Sequence, residues 1–233
     1  MTSGRGTRGA AKAAIVLAGV VLLLSDVLLG RFSIFRQVCD QDDLNRKLVG
    51  IVLRTEPGEV ALIPTLLRRG ADIEYRDARD EPPLYTAVNA PRHEEQVAVI
   101  RLLIAEGADV NARKRQFGDT ALHWAALRGY ADICALLLSH GAEVDARNCE
   151  GSTALHYAAG ERVVSEIWTS GFVPMGDEPD QIAVAEFLVA QGADPGARNH
   201  AGRTPVDSAG QWGRVQLKER LQACRRRPAS GVE

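Results

Sequence analysis

Aromatic side chains are scarce in this chain: five Phe, four Tyr and three Trp, 5% of 233 residues. A sheet core leans on aromatic and β-branched residues, so their scarcity beside plentiful Ala, Leu and Gly points to short, closely packed helices. Neither sign of charge dominates. The chain sets 28 Lys and Arg against 30 Asp and Glu, which removes any global attraction to nucleic acid. Residues 1–31 contribute Arg5, Arg8, Lys12 and Arg31 against Asp26 alone, so the remainder is mildly acidic. Signatures of chemistry are missing too, with no G-x-S-x-G elbow and no phosphate-binding loop. His93, His140 and His200 are scattered, without H-x-x-x-H or carboxylates at ligand spacing, so catalytic, metal and cofactor sites are all expected to be none.

At 45% hydrophobic and 25% charged residues, the composition suits a globular protein of one or two domains. Its first segment is different. Arg5, Arg8 and Lys12 precede AAIVLAGVVLLL at 13–24, and the apolar run resumes as VLLG after Ser25 and Asp26. Residues 13–24 have the length of a signal-peptide core, whereas 13–30 as a whole approaches the lower limit of a membrane span. No Ala-x-Ala follows, and Arg36, Gln37 and Val38 before Cys39 form no lipobox. An uncleaved signal anchor, a cleaved signal peptide and a buried helix all stay open. The first two imply export, with the basic N-terminus 1–12 left in the cytosol and the body across the membrane.

The body is periodic. TALHWAALRGY at 120–130 returns as TALHYAAGERV at 153–163, 33 residues later, and Gly-Ala-Asp or Gly-Ala-Glu follows a leucine-rich run at Gly70, Gly107, Gly141 and Gly192. The cleanest unit, 118–150, reads as two helical patterns separated by Gly129 and closed at Gly141. Leu122, Trp124, Ala125 and Ala126 give the first helix its packing stripe, and Ile133, Cys134, Leu136, Leu137 and Leu138 give the second its heavier one. Helices of around ten residues do not persist alone in water, so neighbouring units must supply the core.

That unit resembles an ankyrin repeat. TALHWAA, RGY and ICALLLSHGAEVDAR follow the family's T-P-L-H-x-A-A, G-H and I-V-x-L-L-L-x-x-G-A-D-V-N-A. The other units match less fully: PPLYTAV with VAVIRLLIAEGADVNAR, TALHYAAG with IAVAEFLVAQGADPGAR, TPVDSAGQWGRVQLKERLQAC, and a leading unit ending VALIPTLLRRGADIEYRD. The resemblance implies an all-α ankyrin-repeat α-solenoid over 44–224, with units at about 44–80, 81–117, 118–150, 151–201 and 202–224. It further implies β-hairpin fingers and atypical end units acting as caps. Around this domain lie the hydrophobic helix 13–30, a linker 31–43 and a basic tail 225–233.

Family members of this architecture bind proteins through finger tips, the residue before the Thr, and the pair after the Ala-Ala. Carried over, these positions are Arg79, Glu81 and Asn89; Arg115, Gln116, Asp119, Leu127 and Arg128; Glu150, Ser152 and Glu161; and His200, Arg203, Gln211 and Trp212. The register slips by one residue around Phe117. Trp212 is read either as an interface anchor or as part of a buried cap. His123 and His156 share one repeat position, which favours a structural role over catalysis. Cys134 stands where the repeat places an inward Val, while Cys149 falls at a finger tip. Four cysteines permit a disulfide framework, but helix stacking at 8–10 Å per step would separate Cys39 from Cys224 well beyond bridging distance.

The insertion ERVVSEIWTSGFVPMGDEPD at 161–180 is the most individual stretch. Val163, Val164, Ile167 and Trp168 recur at helical spacing, predicting a first helix prolonged by two turns before Gly171 and Pro174, with Phe172 and Met175 on a loop. Trp168 and Phe172 join the candidate contacts, packed on neighbouring helices or open as a patch. The sequence thus predicts a monomeric, non-catalytic protein-binding module of a bacterial envelope, an adaptor, scaffold or immunity-type binder. It would be anchored by 13–30 and displayed in the periplasm or its equivalent. A secreted effector binding host proteins, and an enzyme subunit using Cys149 or a histidine, are the alternatives.

Overall fold

The computed structural model describes residues 33–54, 58–90, 95–161 and 178–226. The expected hydrophobic helix 13–30, with Trp168 and Phe172 of the insertion, lies outside them. Two compact units divide the chain, Met1–Leu44 and Asn45–Glu233. Helix α1 spans Ser33–Arg54, so the expected linker 31–43 is helical from Ser33 onward. Beyond it, the described residues of the second unit build paired helices.

A short 3₁₀ turn, Val60–Leu62, leads into α2 (Ile63–Arg68). The later pairs are α3 (Pro83–Asn89) with α4 (Gln96–Ala105), and α5 (Ala121–Arg128) with α6 (Ala131–Ser139). Next come α7 (Ala154–Ala158) with α8 (Glu178–Ala190), and α9 (Pro205–Gln211) with α10 (Val215–Arg226). First helices pack in series, α3 on α5, α5 on α7 and α7 on α9, while α8 packs on both α6 and α10. Each layer is therefore covered by the next.

The stripes expected from the sequence are buried, except that Leu138 is only half-buried. Leu122, Trp124, Ala125, Ile133, Cys134 and Leu137 are all inside. Full burial of one such large side chain contributes ~1.5–3 kcal/mol, which no single two-helix unit could accumulate without its neighbours. Helix α6 stops because Gly141 takes φ 88°, letting Gly141 N–H reach the Leu138 carbonyl and Ala142 N–H reach that of Leu137, both at 3.1 Å.

Two expectations are corrected. No strand occurs among the described residues, so the fingers are hairpin-like turns, not β-hairpins. Backbone hydrogen bonds close them: Asp77 to Glu81 at 3.2 Å, Asn148 to Ser152 and Asn199 to Arg203 at 3.0 Å, each from N–H to carbonyl, with a second bond at 2.9 Å inside each turn from the Asp80, Gly151 or Gly202 N–H back to the carbonyl of Asp77, Asn148 or Asn199. In the third unit the bond runs from Lys114 to Asp119 at 2.9 Å, one residue longer, which accounts for the slip around Phe117. The second correction concerns the fourth unit, whose first helix is not prolonged but ends at Ala158. Gly160 turns left-handed at φ 96°, its N–H bonds the Tyr157 carbonyl at 2.9 Å, and Glu161 N–H bonds that of His156 at 3.0 Å. These bonds satisfy the terminal carbonyls and end the helix before the insertion begins.

Candidate partner-binding surface

Each Thr-x-x-His phrase is a helix cap. Thr120 N–H donates to His123 Nδ1 at 3.2 Å, and His123 Nε2 donates to the Ser152 carbonyl of the next unit at 3.1 Å. An N–H at one nitrogen and a carbonyl at the other fix the neutral Nε2–H tautomer. His156 repeats this with Thr153 N–H at 3.2 Å and the Arg203 carbonyl at 3.1 Å. Asp207 replaces the histidine in the last unit, accepting from Thr204 N–H at 2.9 Å and Thr204 Oγ1 at 2.8 Å. Burial lowers the pKa of His123 and His156, and the hydrogen bonds from Thr204 lower that of Asp207. All three are structural groups.

The residue before each Thr, expected to face a partner, is mostly turned inward. Glu81 is buried against Lys114, with Oε1 and Nζ 3.1 Å apart, and the ammonium also faces the Tyr85 and Phe117 rings at 5.7 and 5.3 Å. Asp119, also buried, accepts from Tyr157 OH at 2.6 Å and Asn148 Nδ2 at 2.9 Å. Ser152 is buried beside Asn199. Arg203 is half-buried and bonds Glu161 at 2.9 Å. Glu161 itself is buried, accepting also from Asn199 Nδ2 and, through Oε2, from Ser208 Oγ at 2.6 Å. These side chains join one unit to the next.

Among the positions after the Ala-Ala pair, Leu127 is buried, while Asn89 and Arg128 meet across 39 residues. Arg128 donates to the Asn89 carbonyl at 2.8 Å and to its Oδ1 at 3.3 Å. Arg79, Arg115, Gln116, Glu150, His200, Gln211 and Trp212 are exposed. Arg79 pairs with Asp77 at 3.1 Å and Glu81 at 3.4 Å, and Arg115 with Asp80 at 3.8 Å. Among the described residues Glu150 forms no ion pair; partial burial and the negative charges of Glu161 and Asp119 raise its pKa. Cys149 is exposed and Cys134 buried, where desolvation pushes its thiol up. Among the described residues no His, Cys, Asp and Glu cluster is arranged to hold a metal.

A ladder of arginines escaped the sequence reading. Arg76 donates to the Arg113 carbonyl at 2.9 Å, Arg113 to that of Arg147, and Arg147 to that of Arg198 at 2.8 Å. Each also braces its own finger, as Arg198 does on the Gly202 carbonyl at 2.6 Å. The signal was present: an Arg follows every Gly-Ala-Asp or Gly-Ala-Glu by four positions. A parallel ladder joins the turns before the fingers, with Asp109 N–H donating to Glu74 Oε1 at 2.8 Å and Glu143 N–H to Asn111 Oδ1 at 2.9 Å.

Helix pairs sealed only by neighbouring pairs and tied finger to finger define an α-solenoid of short repeats. The chain carries ankyrin repeats: the family model described as Ankyrin repeats (3 copies) matches residues 54–148 and 92–167. It is similar to alpha-latrocrustotoxin-Lt1a of Latrodectus tredecimguttatus, 29% identical over 164 residues, covering 70% of this chain and 10% of that protein. The ankyrin repeat and KH domain-containing protein mask-1 of Caenorhabditis elegans is 30% identical over 178 residues, 76% of this chain and 6% of the relative. ARF GTPase-activating protein GIT2 of Mus musculus is 38% identical over 101 residues, 43% of this chain and 12% of the relative. The chain therefore spans between 6% and 12% of these three proteins. They are eukaryotic and lend the expected bacterial source no support.

Proposed function

We propose that this chain is a protein-binding module in which finger tips and first-helix ends recognise the partner. The division of labour among equivalent repeat positions carries the reading. Glu81, Asp119, Ser152 and Glu161 are consumed in joining repeats, whereas Arg79, Arg115, Gln116, Glu150, Gln211 and Trp212 stay open to solvent. Recognition by such a surface is a matter of side-chain choice on a fixed frame, with charges selecting the partner and apolar anchors holding it.

Display on the exported side of a membrane is the second part of the proposal. It rests on the basic residues Arg5, Arg8 and Lys12 ahead of AAIVLAGVVLLL. No helix among the described residues is long and apolar enough to cross a membrane, so the anchor would have to be residues 13–30. Photo-crosslinking of the full chain in its own cells tests the first part. Arg79→Glu combined with Glu150→Lys should remove a discrete protein adduct while the helical circular dichroism of the folded chain is retained; an adduct that survives both substitutions excludes the surface. Alkaline extraction of membranes tests the second, because the intact chain should stay in the pellet and a chain lacking 13–30 should leave it.

A further inference from the structure

Bulky apolar side chains are exposed at few places among the described residues: Leu53, Leu62, Trp212 and Val215. Two of these four stand three residues apart where α9 passes into α10. Trp212 is 50% exposed and Val215 63%, whereas Trp124 in the middle of the array is buried. The chain turns between them at Gly213, φ 71°, with Arg214 N–H bonded to the Ala209 carbonyl at 2.9 Å. That turn holds both side chains outward at a fixed place.

Charge collects at the same corner. Helix α10 carries Lys218, Arg220, Arg225 and Arg226 against Glu219, in a chain whose acidic residues outnumber its basic ones. Arg220 is paired with Glu186 at 3.4 Å, but Lys218 forms no ion pair among the described residues. Its stem lies along exposed Gly210, where a Cβ would meet Nζ at 3.3 Å and Cδ and Cε at 3.5 Å. The ammonium is thus held over α9, two residues ahead of Trp212, with no anion paired to it among the described residues. Nor does α10 present an apolar face that could lie in a lipid surface, because Leu217 and Leu221 are buried against the array and Val215 at its first position is its one exposed bulky apolar residue.

Resting on the protein-binding reading above, we propose that this corner docks an acidic segment of the partner that carries an apolar side chain. Trp212 and Val215 cover the apolar side chain and Lys218 meets the carboxylate. An indole offers a large contact area at little loss of side-chain freedom. An unpaired ammonium selects for negative charge and makes the encounter salt-dependent.

The test is fluorescence anisotropy on the full chain with three labelled dodecapeptides: Asp and Glu interspersed with Leu, the same pattern with Lys for the acids, and the acidic pattern with Ser for Leu. The first should bind at least tenfold more tightly than the other two, and weaken at least tenfold with Trp212→Ala, with Lys218→Glu, and on raising the salt. Vesicles of phosphatidylserine and phosphatidylcholine, offered to the chain lacking 13–30, should not bind through Trp212. Equal binding of the three peptides, indifference to both substitutions, or Trp212-dependent vesicle binding would each overturn the proposal. If the adduct sensitive to Arg79 and Glu150 persists while the acidic peptide fails, this docking site is wrong and the module reading stands.

Discussion

At the scale of single residues, the neutral histidines set a pH limit on the fold. Burial lowers the pKa of His123 from 6.5 in spite of Asp119 nearby, so below about pH 6.5 the unfolded chain takes up a proton that the folded chain refuses. Stability is then fully present above that pH and falls progressively as the pH drops toward the lowered folded value. Protonation of Nδ1 would also set it against the Thr120 N–H. His156 acts in the same direction. Urea titrations at pH 7.5 and 5.5 should therefore show a lower midpoint at the acidic pH, and His123→Ala should shrink the difference to the part that His156 contributes. The same substitution should destabilise the protein by about 3 kcal/mol at neutral pH, because Thr120 N–H and the Ser152 carbonyl lose a buried partner.

At the scale of the element, finger turns register on one another through glycine. Gly151 is left-handed at φ 74°, and a Cβ there would sit 2.7 Å from His200 Cδ2 and 3.1 Å from its backbone nitrogen. Gly141, at φ 88°, has nothing within 4 Å. Both Ala substitutions meet backbone strain, but only Gly151→Ala also displaces the next finger, whose His200 N–H bonds the Glu150 carbonyl at 2.8 Å. Gly141→Ala should cost about 1 kcal/mol and Gly151→Ala about 3 kcal/mol; equal losses in thermal melts would show that the fingers do not bear on each other.

The helix pairs, the break at Gly129 and the stop at Gly141 were legible in the sequence because each is decided by residues within four positions of one another. Burial at Glu81 and Asp119 was not, since it depends on Lys114, Tyr157 and Asn148, which another turn or repeat places over them. The end of α7 was obscured for a related reason: the apolar spacing after Glu161 suggested a continuation, while Gly160 and the bonds to His156 and Tyr157 close α7 at Ala158.

At the scale of the whole molecule, stability should follow the number of neighbours. Helix α8 buries Val184 and Leu188 and packs on α10, which buries Leu217 and Leu221. Ending the chain after residue 203 removes α9 and α10 together, and should lower the unfolding free energy by ~3–6 kcal/mol, the worth of two large apolar side chains such as Leu217 and Leu221. The urea dependence should shrink with it, since less surface is exposed on unfolding; an unchanged midpoint would mean the last pair contributes nothing to its neighbours.

The arginine ladder bears on how such an array can change. Its acceptors at Arg113, Arg147 and Arg198 are peptide oxygens, which any amino acid would provide. Mutation can thus rewrite the tips without disturbing alignment, and gene duplication can add or drop a whole segment whose ends already interlock. Novel binding preferences and altered length become independent variables in such a lineage.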